Sequence, residues 1–271
     1  MTRAADLKAR LANVAQIETI VSALRAVALG QRREAERRLE AVRAHEAAVA
    51  GAMARALALA PPPTAQQAGQ GASLLIVMGA GQGFAGAYGE RLAHAALAQS
   101  PTEIFVLGRR TAEALEEADA PLRFRAEAPA HAGDAPALAS RLADALIERL
   151  ARGDVSRVTL LFAEPDAEAL TLRPLIPFDY ARFPPHAGPA PLLTLPPETL
   201  LQTLVEEYLF AELAEAALLA FAAESEARAD AMSRAQTNVR RIAQDLERDA
   251  AHARQAALTA EIVELSLHAE G

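Results

Sequence analysis

The chain has 271 residues, enough for one large or two ordinary domains, with 52% hydrophobic but only 4% aromatic residues and a net charge of −8. That charge excludes a general basic field for nucleic acid, and the lack of cysteine excludes disulfides, thiolate zinc sites, iron–sulfur clusters and thiol redox control. Lys8 is the single lysine, which removes Schiff-base chemistry and a Walker-type phosphate lysine. No window holds ~18 uninterrupted apolar residues and the start lacks an apolar signal core, so neither a membrane span nor secretion is expected.

Asp6 to about Leu59 reads as one long helix, roughly 80 Å at the α-helical rise. Leu7, Leu11, Val14, Ile17, Val21, Leu24 and Ala28 step by three or four, with a stammer between Val14 and Ile17. The pattern resumes at Ala35, Leu39, Val42, Val49 and Met53. Gly30 inside it costs ~1 kcal/mol relative to alanine and suggests a bend or a close contact. The stretch from Gln31 to Arg38 is locally basic and reads first as a solvated face, with Glu34–Arg38 as an i,i+4 pair.

Pro61-Pro62-Pro63 ends the helix, and residues 61–71 form a linker. Ser73–Met78 is a continuous apolar run of the kind that forms a strand buried on both faces. Helical stretches then follow at 88–99, 111–118 and 134–151, between strands at 103–107, 122–126 and 155–162, with a further strand over 170–178. This alternation implies a parallel-rich sheet in an α/β domain over 72–190. Residues 184–197, rich in proline, are the exit linker.

From Pro197 to Gly271 the sequence is helix-forming throughout, without proline after Pro197 or glycine before Gly271. Its second half shows a seam at Met232, Ala235, Val239, Ile242, Leu246, Asp249, Ala253, Ala256, Ala260, Val263 and Leu267. Steps of three and four held this long indicate a coiled coil, with Asp249 as a register-setting polar residue. Residues 1–60 and 197–271 must pair antiparallel for the chain to return, forming a narrow, alanine-rich coiled coil around an inserted Rossmann-like domain.

Gly79-Ala80-Gly81-Gln82-Gly83-Phe84-Ala85-Gly86 lies between a strand and a helix, where glycine-rich loops bind dinucleotide phosphates. Gly108-Arg109-Arg110 ends the next strand and suits a 2′-phosphate. An NADP-binding oxidoreductase is therefore one alternative, against which stand the short domain and the lack of an acid–base constellation. The competing reading is a tight strand-to-helix turn. The six histidines are scattered, so no metal site is expected, and no Gly-x-Ser-x-Gly elbow occurs. A coiled-coil scaffold is the other alternative.

Ala253-Arg254-Gln255-Ala256-Ala257-Leu258-Thr259-Ala260-Glu261-Ile262-Val263-Glu264-Leu265 resembles the C-terminal signature of F-type ATP synthase gamma subunits. Glu224, Arg228, Met232, Ala235 and Asn238 match that family's E-x-x-x-R-x-x-A-M-x-x-A-x-x-N pattern. Arg10–Val14, Ile20 and Ala23–Ala28 track its N-terminal motif, and the glycine turn aligns with its strand-end turn. Gly81-Gln82 in place of the family's Asp-Arg, and His268-Ala269 in place of its terminal Gly-Ala, are departures that point to a divergent bacterial branch, with an alternative F-type ATPase as one setting.

The resemblance implies a central-stalk rotor subunit, itself non-catalytic and without cofactor or metal. It would transmit torque between a membrane c-ring and an alpha3beta3 hexamer, with epsilon and the c-ring contacting the α/β head. Location would be peripheral, on the cytoplasmic face of the bacterial inner membrane. The interface residues it implies are Arg25, Arg32 and Arg33 toward acidic beta loops, and Arg254, Gln255, Thr259, Glu261, Ile262 and Leu265 within the C-terminal signature. Ile262 to Leu267 would form a single-helix apolar bearing.

Overall fold

The computed structural model describes residues 3–59, 71–183 and 192–269, with side-chain surroundings at the far end given only to 259 and at Ile262. The readings of 61–71 and 184–197 as linkers fall mostly outside the described residues. The elements in chain order are α1 (Arg3–Leu57), β1 (Ala72–Met78), α2 (Tyr88–Ala98), β2 (Glu103–Leu107), α3 (Arg109–Glu117), β3 (Leu122–Ala126), α4 (Ala135–Ala151), β4 (Val155–Ala163), β5 (Leu170–Ile176) and α5 (Pro197–Ala269). They divide into two compact units, Leu29–Arg228 on one hand and Met1–Ala28 with Ala229–Gly271 on the other. Each long helix thus contributes to both.

In the larger unit the strand order is β3-β2-β1-β4-β5. The first four strands are parallel and β5 runs antiparallel to β4. β1 is central and covered on both sides, which its unbroken apolar run anticipates. Successive side chains point to opposite faces. Leu74, Ile76 and Met78 join a core with α4, α5 and Ala35 and Leu39 of α1. Leu75 and Val77 join another core with residues of α2 and α3. A third cluster joins Val49, Met53 and Ala56 of α1 to Leu201 and Tyr208 of α5 around Phe183.

Within this unit α5 is not a two-sided coiled-coil helix. Every residue from Ala211 to Ser225 is buried. A helix apolar on all sides belongs in a core, and here it lies among α1, α4 and the sheet. Its glutamates at 212, 215 and 224 stay in that interior because each meets arginine. The antiparallel course of α1 and α5 is recorded by contacts of Gln31 with Arg228, Arg32 with Glu226, Arg43 with Glu215 and Glu46 with Tyr208.

In the smaller unit the pairing of Glu18 with Arg240 carries the same antiparallel sense. The seam differs from the sequence reading in register. On α1 the residues turned inward are Leu7, Leu11, Val14, Glu18, Val21, Leu24 and Ala28, while Ile17 is 48% exposed. Glu18 takes the place of Ile17 in the seam, its carboxylate held by Arg240 at 2.6 Å, and the irregular step of three moves to Val21–Leu24. On α5, Met232, Ala235, Val239, Leu246 and Ala253 keep their expected side, with Gln236 partly covered beside Ala235, but Ile242 and Asp249 give way to Ala243 and Ala250, and Ala256 is exposed. Ile242 and Asp249 are exposed, so Asp249 sets no register. The new register gives an expected result. Val21→Ala lowers stability by about 1–2 kcal/mol in thermal or urea melts, whereas Ile17→Ala in the isolated chain stays within about 0.5 kcal/mol.

An 18-residue window in Asp6–Leu57 reaches a mean hydropathy of 1.2, so this helix is long and apolar enough by composition to cross a membrane. Its apolar residues are spread around the helix. Ile17, Ile20 and Val27 point outward from the seam, and the charges of Glu18 and Arg25 interrupt the stretch.

Candidate functional site

In an open parallel sheet the ligand crevice lies beyond the carboxyl ends of the strands, where the strand order changes direction. Here that point falls between β1 and β4, because the chain goes from β1 to β2 and β3 on one side and returns to β4 on the other. The turn after β1 contains the glycines that invite a phosphate. Gly79 is required sterically, since a Cβ there would stand 2.5 Å from the Thr111 side chain and 2.6 Å from the Leu107 carbonyl oxygen. Thr111 Oγ1 accepts the Ala80 N–H at 2.8 Å. Phe84 sits at the tip, 69% exposed with φ 66°, a left-handed conformation uncommon outside glycine.

The anion position of this turn is already filled. The N–H groups of Gly81 and Gln82 donate to the Glu224 carboxylate at 3.2 and 2.8 Å. Glu224 is only 4% exposed and also receives Arg228 Nη2 at 2.7 Å. Burial pushes its carboxyl pKa up, opposed by the Gln82 N–H and the Arg228 charge, and burial prevails. Arg228 in turn donates Nε to the Gly83 carbonyl and Nη1 to Gln31, both at 3.2 Å. Tyr88 donates its hydroxyl to the Ala220 carbonyl at 3.1 Å; burial and then the Glu224 charge raise its pKa. With a carboxylate of α5 in place of a phosphate, the glycines serve a turn and not a dinucleotide.

Beside β4 the arrangement repeats with different residues. Arg32 binds Asp166, in the β4–β5 turn, as well as Glu226 and Glu36. The Asp166 N–H donates to the second oxygen of Glu226 at 2.8 Å. The hydrogen bond that Arg32 donates to Glu36, together with Asp166 and the charge of Glu226, raises the Arg32 pKa despite partial burial.

A cavity of about 440 Å³ lies where β5 and the segment after it meet α1 and α5, lined among others by Glu46, Arg173, Arg182, Tyr208, Glu212 and Glu215. Its charges are paired: Arg173 with Glu212 and Glu215 at 2.6 Å each, Arg182 with Glu212 at 3.1 Å, and Arg43 with Glu215 at 2.8 Å. Tyr208 donates to Glu46 at 2.9 Å. Such a network fixes elements to each other.

The interface residues expected from sequence do not converge. Arg25 and Arg33 are exposed; Arg32 is occupied by its three carboxylates. Arg254, Gln255 and Thr259 are exposed, with Thr259 Oγ1 donating to the Gln255 carbonyl, and Ile262 is 66% exposed. The side chains of Glu261 and Leu265 lie outside those described. Measured from the Glu18–Arg240 pair, Arg25 and Arg254 stand about 30 Å apart along the helices. They form separate contact levels. Sequence reading assigned no chemistry to Glu226 and Asp166. Glu224 and Arg228 entered only through the family pattern; the signal available was charged residues on an otherwise apolar helix.

The fold and its filled crevice define a class: an antiparallel helix pair made from the two ends of one chain, with an open α/β sheet inserted between them. A sequence model described as ATP synthase matches residues 3–270, and the chain belongs to that family. It is 27% identical over 283 residues to the ATP synthase gamma chain of Parafrankia sp. (strain EAN1pec), covering 96% of this chain and 94% of that one. Identity to the ATP synthase gamma chain of Ruminococcus albus is 28% over 281 residues, covering 98% and 97%. Among solved structures, a chain of the Euglena gracilis mitochondrial ATP synthase OSCP/F1/c-ring assembly superposes with a TM-score of 0.65 at 14% identity, covering 98% of this chain and 95% of that one. A chain of the rotor of the same synthase gives 0.61 at 13%, covering 94% and 98%.

Proposed function

We infer that the chain is the gamma subunit of a bacterial F-type ATP synthase, the central-stalk rotor that couples ion translocation at a c-ring to ATP synthesis or hydrolysis on an alpha3beta3 hexamer. The observation that carries this is the match of the family model across 3–270, together with the gamma-chain names of full-length relatives. The filled crevice after β1 disfavours the NADP-binding alternative, because the backbone donors it needs are spent on Glu224.

Torque transmission needs contact surfaces and no reaction centre. A subunit without threefold symmetry inside a threefold ring touches the three catalytic subunits differently, so each has its own conformational equilibrium and nucleotide affinity. The outward apolar residues of the smaller unit, Ile17, Ile20 and Val27 on α1 and Leu258 and Ile262 on α5, suit a helix pair enclosed by partners. Arg25 and Arg33 are the basic contacts toward acidic beta loops; Arg254, Gln255 and Thr259 are contacts within the C-terminal signature. Glu261 and Leu265 belong to the same signature. Arg32 supports its own helices and loops first. Epsilon and the c-ring take the sheet domain, which sets the subunit on the cytoplasmic face of the inner membrane.

Co-expression with the alpha and beta subunits of its own genome tests this. The expected result is one complex containing all three, and, once the membrane sector of the same genome is added, ATP-driven ion uptake into vesicles only when this chain is present. A chain that stays apart from alpha and beta would end the reading.

A further inference from the structure

The crevice that open α/β sheets reserve for ligands is used here as a socket for the chain's own helices. Two loops leave the carboxyl ends of β1 and β4, and each is gripped by one glutamate of α5 and one arginine. Glu224 takes the Gly81 and Gln82 N–H groups, and Arg228 takes the Gly83 carbonyl. Two residues further along α5 and so on nearly its opposite side, Glu226 takes the Asp166 N–H, and Arg32 of α1 takes the Asp166 carboxylate. Both grips reach α1, through Gln31 and Arg32. Five side chains within little more than one turn of α1 and α5, with Asp166 on the loop itself, therefore tie both helices to both loops.

The apolar contact around this level has little shape of its own. On α5 five of the eight residues from Ala216 to Ala223 are alanines (Ala216, Ala217, Ala220, Ala222 and Ala223), set among Leu218, Leu219 and Phe221, all buried. Alanine ridges are shallow, and ridge depth is what locks the angle at which elements pack. Directional charge-assisted bonds supply that lock, and setting register is the best-attested use of buried ionic groups.

We propose that Glu224, Glu226, Arg228 and Arg32 form a torque-bearing collar that fixes the rotational register of the sheet domain on α1 and α5. The proposal rests on the rotor reading above. In it, force from the membrane ring enters the sheet domain and passes to the helices through these two loops, and the apolar core holds the parts together without keying them. Arg32 is then an internal positioning residue and not primarily a contact for the catalytic subunits.

The test uses the whole complex in vesicles and the lack of native cysteine. Asp166→Cys with Glu226→Cys removes one grip, and a short bis-methanethiosulfonate cross-linker restores it reversibly. Before cross-linking, ATP hydrolysis continues while ions pumped per ATP fall about twofold or more, and amide exchange at residue 166 rises about tenfold, as expected for loss of a charge-assisted bond. Cross-linking restores pumping per ATP, and reduction abolishes it again. Equal pumping per ATP in all three states overturns the proposal. Should the double variant not assemble, exchange in the unmodified complex decides. The Gly81, Gln82 and Asp166 amides stay protected during ATP-driven turnover if the collar bears load, and exchange as fast as the exposed loop at Gly153 if it does not. Failure of the unmodified chain to join the complex would instead refute the rotor reading, and shows before any variant is made.

Discussion

Replacing Arg173 with methionine lowers the stability of the chain by about 3–5 kcal/mol at neutral pH, the cost of removing one partner from a buried charge network. Methionine keeps the apolar contact over the Phe162 ring, where the guanidinium carbon sits 5.0 Å from the centroid. What it removes is the donor shared by Glu212 and Glu215. Glu212, 2% exposed, is left with Arg182 alone, and Glu215 with Arg43 alone.

The loss depends on pH, with a definite sign. Burial pushes the Glu215 carboxyl up, but hydrogen bonds and charges from Arg43 and Arg173 overcome this and hold it below the ordinary glutamate value. A carboxyl depressed in the folded state contributes stability that is fully present above its unfolded pKa, near 4.3, and is lost as pH falls through the folded value. In the Arg173→Met chain burial is opposed by one arginine fewer, so Glu215 takes up a proton at higher pH. Protonation removes the buried charge, and the penalty shrinks with it. Urea melts at pH 7 and near pH 4.5 check this: the two stabilities converge toward the acid end. A gap independent of pH, or one below about 1 kcal/mol at pH 7, would mean that the pairs behave as solvated surface ions.

The strands and their alternation with helices were legible because β1, β2 and β4 are apolar runs too short for helices and bounded by glycine or proline. Their order was not, since pairing β1 with β4 joins segments about eighty residues apart and leaves no local trace. The seam of α1 was misread at Ile17 for an identifiable reason. Every seventh residue from Leu7 to Ala56 is apolar (Leu7, Val14, Val21, Ala28, Ala35, Val42, Val49, Ala56), but the alternate heptad position carries Leu11, Glu18, Arg25, Arg32, Leu39, Glu46 and Met53, and at Arg25, which is exposed, the neighbouring Leu24 turns inward instead. Four of those seven are charged, so a search for apolar steps of three or four slid onto Ile17. On α5, Ile242 and Asp249 were preferred over Ala243 and Ala250 because alanine repeated on every face gives no phase. Glutamates at 212, 215 and 224 break the apolar run from Ala211 to Ser225, which hides a helix buried on all sides within the expected coiled coil. The partners of Glu212 and Glu215 (Arg173, Arg182 and Arg43) come from distant segments and only the fold unites them, whereas Glu224 meets Arg228 four residues along the same helix.

Gly108→Ala and Gly30→Ala make the same chemical change with opposite expected outcomes. Gly108 has φ 95°, and a Cβ there would stand 2.5 Å from both the carbonyl carbon and oxygen of Ala80. The obstacle is backbone at the end of β1, pinned by the Arg110 N–H donating to the Ala80 oxygen at 3.0 Å, and cannot swing aside as a side chain would. Strain from the positive φ and overpacking add, for a loss of about 2–6 kcal/mol and displacement of the turn that carries Gly81 and Gln82. Gly30 lies inside α1 with nothing within 4 Å of a Cβ, so neither a close contact within the chain nor a turn explains it. Alanine there raises the stability of the isolated chain by about 0.5–1 kcal/mol through helix propensity alone. Thermal melts of the two variants beside the unmodified chain therefore move in opposite directions. If Gly108→Ala melts like the parent, the close approach of β1 and the start of α3 is not enforced. The Glu224 socket would then lack the rigid turn on which both its geometry and the exclusion of a phosphate ligand depend.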